Sequence, residues 1–300
     1  MIKKLSHIFF IIFSCINLFS QQNHLAEQYF KALNYYQSKN IDSAEIVLKK
    51  NIEEEKFVIL LGKIYNENNK TNEAILILEK NYQKNQSNEI AFNLALIYAE
   101  MDFDQEAIFW LEKYFLNNNL SDFYSQIIKN KEFTNIENSE LWKNFWNNNT
   151  YNKNYQQFEE ILYNIKQENF EEAVQLLNTC KSISYDYYKN YLLADVYFKM
   201  NDLKLANKYI LLSLESKSKF YEAQNLKYQI DKLNKDYKSA ENILDKMMKS
   251  DIFNSNLILE KVDLLYKLKN YTEAQKILDY YSNFFPTDKI AILLKAKISI

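Results

Sequence analysis

The sequence predicts an all-α chain of stacked antiparallel helix pairs, and three observations carry that reading. Only one Gly and one Pro occur in 300 residues. An Ala recurs at a spacing of about 33 residues, and a large apolar residue follows each of these Ala by four places. Hairpins and phosphate loops depend on Gly, and many irregular loops depend on Pro, so a chain with almost neither is most simply built from helices joined by short turns. Asn is expected to take over the turns, because it tolerates the left-handed conformation that ends helices. The runs Asn66-Glu67-Asn68-Asn69 and Asn117-Asn118-Asn119 fit that use.

The N-terminus comes first. Lys3 and Lys4 precede an apolar run from His7 to Phe19, and a polar stretch starts at Gln21. That layout predicts a secretory signal segment over residues 1–20, cut after Ser20. Ile12-Phe13-Ser14-Cys15 resembles a bacterial lipoprotein box, so lipidation at Cys15 is the alternative, and an uncleaved anchor is the third option. Membrane contact is expected only with a lipid on Cys15. The remainder is expected to be exported, to a periplasmic, outer-membrane-associated or secreted setting.

Beyond residue 21 the recurring Ala are Ala44, Ala74, Ala107, Ala173, Ala206, Ala240 and Ala274. Their apolar followers are Leu48, Leu78, Leu111, Leu177, Ile210, Leu244 and Leu278. Successive spacings are 30, 33, 66, 33, 34 and 34, and the 66 is twice 33, so one degenerate unit lies between Ala107 and Ala173. A unit of this size cannot bury its apolar face alone, so units stack.

These residues resemble the tetratricopeptide repeat family, whose 34-residue unit is helix, turn, helix. With the recurring Ala at position 20, the small residue of position 8 falls on Ala32, Gly62, Ala95 and Ala194. The aromatic of position 11 falls on Tyr35, Tyr65, Tyr98 and Tyr197. The single Gly therefore sits at position 8, and the single Pro, Pro286, sits at position 32. Ile161, Tyr228 and Val262 depart from the pattern at position 8. The resemblance implies an α-solenoid of antiparallel helix pairs, with about seven tetratricopeptide-like units plus one degenerate helical unit, wound as a right-handed superhelix. Residues 21–121 form an N-terminal array, 122–150 a degenerate aromatic spacer, and 151–300 a C-terminal array.

In the spacer, Glu140 takes the place of the small residue at position 20. Phe123, Phe133, Trp142 and Trp146 are dense there, and Asn147 to Thr150 reads as a turn. Two readings stand. The aromatics cap the ends of the two arrays, as aromatics at helical spacing usually do; or they line a groove for carbohydrate or peptidoglycan.

The chemistry-bearing residues are sparse. One Gly excludes a phosphate loop. Two Cys and two His, with both His near the N-terminus, exclude a Cys/His metal cluster and a His-dependent nucleophile in the body of the chain. Cys180 falls at position 27 and reads as a packed thiol. With 37 Lys and Arg against 39 Asp and Glu, the net charge is -2 and no basic patch for nucleic acid stands out. No cofactor and no catalysis are expected.

What remains is binding. The resemblance implies that positions 2, 5, 9, 12 and 13 of the first helices line a concave groove. The candidates are Lys63 and Asn66 in one unit, Tyr188, Tyr191, Asp195, Phe198 and Lys199 in another, and Leu259, Asp263 and Tyr266 in a third. The expected role is a non-catalytic adaptor in the bacterial cell envelope, with a protein or peptide as partner.

Overall fold

A computed structural model describes residues 23–116, 127, 130–148, 152–180 and 186–298. The expected signal segment with Cys15, and Phe123 of the spacer, lie outside these. In chain order the helices are α1 (23–37), α2 (Ile41–Lys50), α3 (Glu55–Glu67), α4 (Thr71–Asn85), α5 (Asn88–Glu100) and α6 (Asp104–Leu116). A 3-10 turn, Lys131–Asn135, and α7 (Glu140–Asn148) follow. Then come α8 (Asn152–Lys166), α9 (Phe170–Thr179), α10 (Asp186–Lys199), α11 (Leu203–Ser216) and α12 (Tyr221–Leu233). The last four are α13 (Tyr237–Ser250), α14 (Ser255–Lys267), α15 (Tyr271–Phe284) and α16 (Lys289–Ile298). Among the described residues there is no strand.

The repeat is visible in burial. All seven recurring Ala are 0% exposed, and their apolar partners four residues on are 0–1% exposed. Ala32, Ala95 and Ala194 at position 8 are 0% exposed as well. A small residue on each helix lets the backbones approach, and the Leu or Ile fills the space beside it; each such burial stabilises by about 1.5–3 kcal/mol. At Gly62 the approach is tightest. A Cβ built there would stand 3.0 Å from Cγ and Cδ1 of Leu78, so the absent side chain is what admits Leu78. The described residues form an all-α run of helix hairpins.

The turn inside each hairpin repeats one hydrogen-bond pattern. Five residues before every recurring Ala the backbone is left-handed, at Lys39, Asn69, Asp102, Glu168, Asn201, Lys235 and Lys269, with φ between 59° and 62°. The next N–H reaches back five residues to a carbonyl. Asn40 donates to Tyr35, Lys70 to Tyr65, Phe103 to Tyr98, Asn169 to Asn164, Asp202 to Tyr197, Asp236 to Asp231 and Asn270 to Leu265, all at 2.8–2.9 Å. This is the Schellman closure of a helix C-terminus.

Asn does less of this work than its abundance suggested. It holds the left-handed position in two turns, while Lys and Glu hold it in four. Among the described turns, Asn also serves twice as a side-chain N-cap of the second helix. Asn40 Oδ1 accepts from the Ser43 N–H and Asn270 Oδ1 from the Glu273 N–H, and Asp202 does the same for Leu205. A left-handed side-chain-bearing residue is strained by about 1–2 kcal/mol, part of which Gly would recover. Glu168→Gly and Lys269→Gly are therefore each expected to raise stability by up to about 1 kcal/mol, read as a higher urea midpoint. Val at either position should lower it.

The described residues divide into two compact units, residues 23–57 with 237–298, and those within 58–236. In the first unit, one core joins residues from both ends of the chain. Ala26 and Phe30 of α1 share it with Val262, Leu278, Phe285 and Leu294. The Phe30 ring lies 6.0 Å from those of both Phe284 and Phe285, and the Tyr29 ring lies 5.1 Å from that of Phe253. Lys261, mostly buried, reaches Glu241 at 2.8 Å and Asp245 at 2.7 Å. Burial alone would lower its ammonium, but hydrogen bonds to Asp245 and Glu241 outweigh that and hold it above its ordinary value.

In the second unit, each helix from α4 to α11 packs on the next, and α10 also meets α12 two elements on. The degenerate segment is folded into this order. Its 3-10 turn packs on α5, and α7 packs on α6 and α8. Phe133, Phe145 and Trp146 are buried. Phe133 stacks on Trp142 at 5.8 Å and meets Phe92 of α5 at 5.9 Å, while Trp142 and Trp146 meet edge to face at 5.6 Å. These aromatics build core between neighbouring helices, which goes against the glycan-groove alternative. Asn147 and Asn148, read as part of a turn, belong to α7.

Candidate functional site: the α10–α12 groove

Successive first helices, α10 and α12, present their repeat positions to a shared cleft of about 310 Å³. From α10 come Tyr191, Asp195, Phe198 and Lys199, at positions 5, 9, 12 and 13 of their unit. Spacings of three and four place them on one helix face. From α12 come Glu222, Asn225 and Gln229, positions 2, 5 and 9 of the next unit, with Tyr221 and Leu226 beside them. The sequence reading did not single out this second set. The same position rule, applied to the unit starting at Tyr221, would have found it.

Aromatic packing fixes the α10 wall. The Tyr191 ring meets Phe220 at 5.3 Å, nearly perpendicular, and Tyr188 at 5.8 Å. Tyr187 beneath them is pinned through its carbonyl, which accepts from the buried Ser213 hydroxyl at 2.7 Å, and Lys217 Nζ stands 4.4 Å above its ring. Burial first, and then the carboxylates of Asp195 and Glu222, push the Tyr191 hydroxyl well above the ordinary tyrosine range. It therefore stays protonated. Lys199 Nζ bonds Asp195 Oδ2 at 2.6 Å, one turn away on the same helix. Glu222 has no cationic partner among the described residues, and the side chains of Asn225 and Gln229 hold no hydrogen bond there.

The other six candidates lie elsewhere. Tyr188 is buried beside Phe158 and Phe220 and supports the wall rather than facing the cleft. Lys63 is exposed and pairs loosely with Glu67 at 3.8 Å. Asn66 donates to Glu100 at 2.7 Å and accepts from the Thr71 hydroxyl at 2.9 Å, so it links neighbouring repeats. Leu259 is buried in the core of the first unit. Asp263 holds Lys267 at 3.0 Å and Lys297 at 3.5 Å, and the same Lys297 lies 4.5 Å above the Tyr266 ring. Helix α16 thus occupies in the last repeat the face that the position rule assigns to a ligand.

Among the described residues, no group of three or more His, Cys, Asp or Glu is placed to hold a metal ion. Cys180 is buried at the end of α9, its N–H bonded to the Leu176 carbonyl. No helix among them is long and apolar enough to cross a membrane. A larger cavity, about 560 Å³, opens in the first unit over Ala26, Phe30, Met248, Ile252, Ile258 and Ile277.

No protein-family model and no curated protein matches the chain. Among solved structures, it is similar to the C-terminal part of a TPR repeat-containing protein from Cytophaga hutchinsonii, at 18% identity over 79% of this chain and 98% of that one, with a TM-score of 0.42. It is similar to pilF of Pseudomonas aeruginosa at 15% identity, over 83% of this chain and 98% of that one, with a TM-score of 0.40. With the APC/C hetero-tetramer Cut9-Hcn1 the identity is 15% and the TM-score 0.41, over 91% of this chain but 47% of that one, so the chain spans about half the length of its counterpart there. Identities and scores are low in all three, and neither partner nor activity passes from them to this chain.

Proposed function

We propose that this protein is a non-catalytic interaction scaffold that holds an extended segment of a protein partner in the α10–α12 groove. One observation carries the reading. Four side chains chosen from repeat position, Tyr191, Asp195, Phe198 and Lys199, line a single cleft with the equivalent positions of the next unit. The cleft offers aromatic faces for contact area and polar groups for register. Its floor is rigid, because α10 and α11 pack along their length and Ala194 and Ala206 are fully buried. We place the scaffold in the bacterial cell envelope, on the strength of the layout of residues 1–20.

Affinity purification of the tagged full chain from an envelope fraction tests this. One stoichiometric protein should be recovered, and Tyr191→Ala with Phe198→Ala should cut its yield at least about tenfold at unchanged helicity. Equal recovery by the variant, or no protein above background, would count against the groove.

A further inference from the structure

We propose that the segment held in the α10–α12 groove presents a Lys or Arg side chain, seated over the Tyr191 ring with its charge against Glu222. This rests on the groove reading above and deepens it. The cleft is lined by two carboxylates, Asp195 and Glu222, and one ammonium, Lys199, which leaves one negative charge. The two acids are not equivalent. Asp195 is already engaged by Lys199 at 2.6 Å. Glu222 is half-buried in the first turn of α12 and meets no cation among the described residues, so its charge is the one left for a partner.

The aromatic walls sharpen that preference. The Tyr191 ring is held edge-on by Phe220 at 5.3 Å and stands beside the cleft, and a cation over such a face is attracted by the ring quadrupole. A long aliphatic stem ending in a charge suits this arrangement, with methylenes along Phe198 and the head at Glu222. Protonated Tyr191 adds no competing negative charge. An acidic residue in the same place would face Glu222 unscreened, since Lys199 is committed to Asp195. The free amides of Asn225 and Gln229, one turn apart on α12, suit the carbonyls and N–H groups of an extended backbone.

The test is a display selection of random octapeptides on the intact protein, run in parallel on Glu222→Gln and Tyr191→Ala. Wild type should enrich peptides sharing a Lys or Arg, and Glu222→Gln should lose that enrichment. An enriched peptide, measured by calorimetry, should bind Glu222→Gln about tenfold more weakly and lose affinity with salt. Peptides enriched without a basic residue, or enriched equally by Glu222→Gln, would overturn the cationic anchor and leave the groove standing. Enrichment that persists unchanged on Tyr191→Ala, or no enrichment on wild type, would overturn the groove itself.

Discussion

Phe30→Ala is expected to lower stability by about 3–5 kcal/mol, the range for truncating a fully enclosed aromatic. Phe30 is 2% exposed, and its ring is wedged against Phe284 and Phe285. The effect should be felt across a unit whose parts are distant in sequence. Hydrogen exchange should show lost protection in residues 23–57 and 237–298 together, ahead of 58–236. Leu76→Ala, at a site 68% exposed, should change stability by less than about 0.5 kcal/mol. If Phe30→Ala behaves like Leu76→Ala, then α1 is not part of that core.

The second large effect is electrostatic. Lys227 and Asp231 face each other one turn apart on α12, at 8% and 4% exposure. Removing Asp231 leaves the Lys227 ammonium with little water and without the carboxylate that faces it, so Asp231→Ala is expected to cost about 3–5 kcal/mol. Replacing both by apolar residues of similar size, as in Lys227→Met with Asp231→Leu, should be nearly neutral. Urea unfolding of the two singles and the double gives the coupling directly. A single mutant as mild as the double would show that the pair is not desolvated.

The sequence made the repeat legible because packing constraints there are local. The recurring Ala and its follower lie four residues apart on one helix, and the hairpin that buries them is about 34 residues long. Each of those positions is fully buried in the fold. The unique Gly is likewise where Leu78 presses closest. Tyr191, Asp195, Phe198 and Lys199, which the family resemblance implied from repeat position, line one cleft.

The rest depended on neighbours that no period encodes. Tyr188 obeys the groove rule but is covered by Phe158 and Phe220, one from an earlier repeat and one from the approach to α12. Asp263 and Tyr266 obey it too, and Lys297 from α16 covers them. The union of α1 with the C-terminal helices joins Phe30 to residues some 250 positions away, far beyond any repeat length. Lys39, Glu168 and Lys269 in left-handed turns show tertiary closure overriding local preference, which residue type could not reveal.

Site-specific photo-crosslinking tests the central claim most directly. A benzophenone side chain placed at Gln229, in the cleft, should yield one discrete protein adduct in the producing cell, and Tyr191→Ala should abolish it. The same group at Leu211, exposed on α11 and absent from the cleft lining, should yield none. An adduct from Leu211 and none from Gln229 would contradict the account, because the partner would then ride on a different face of the helices.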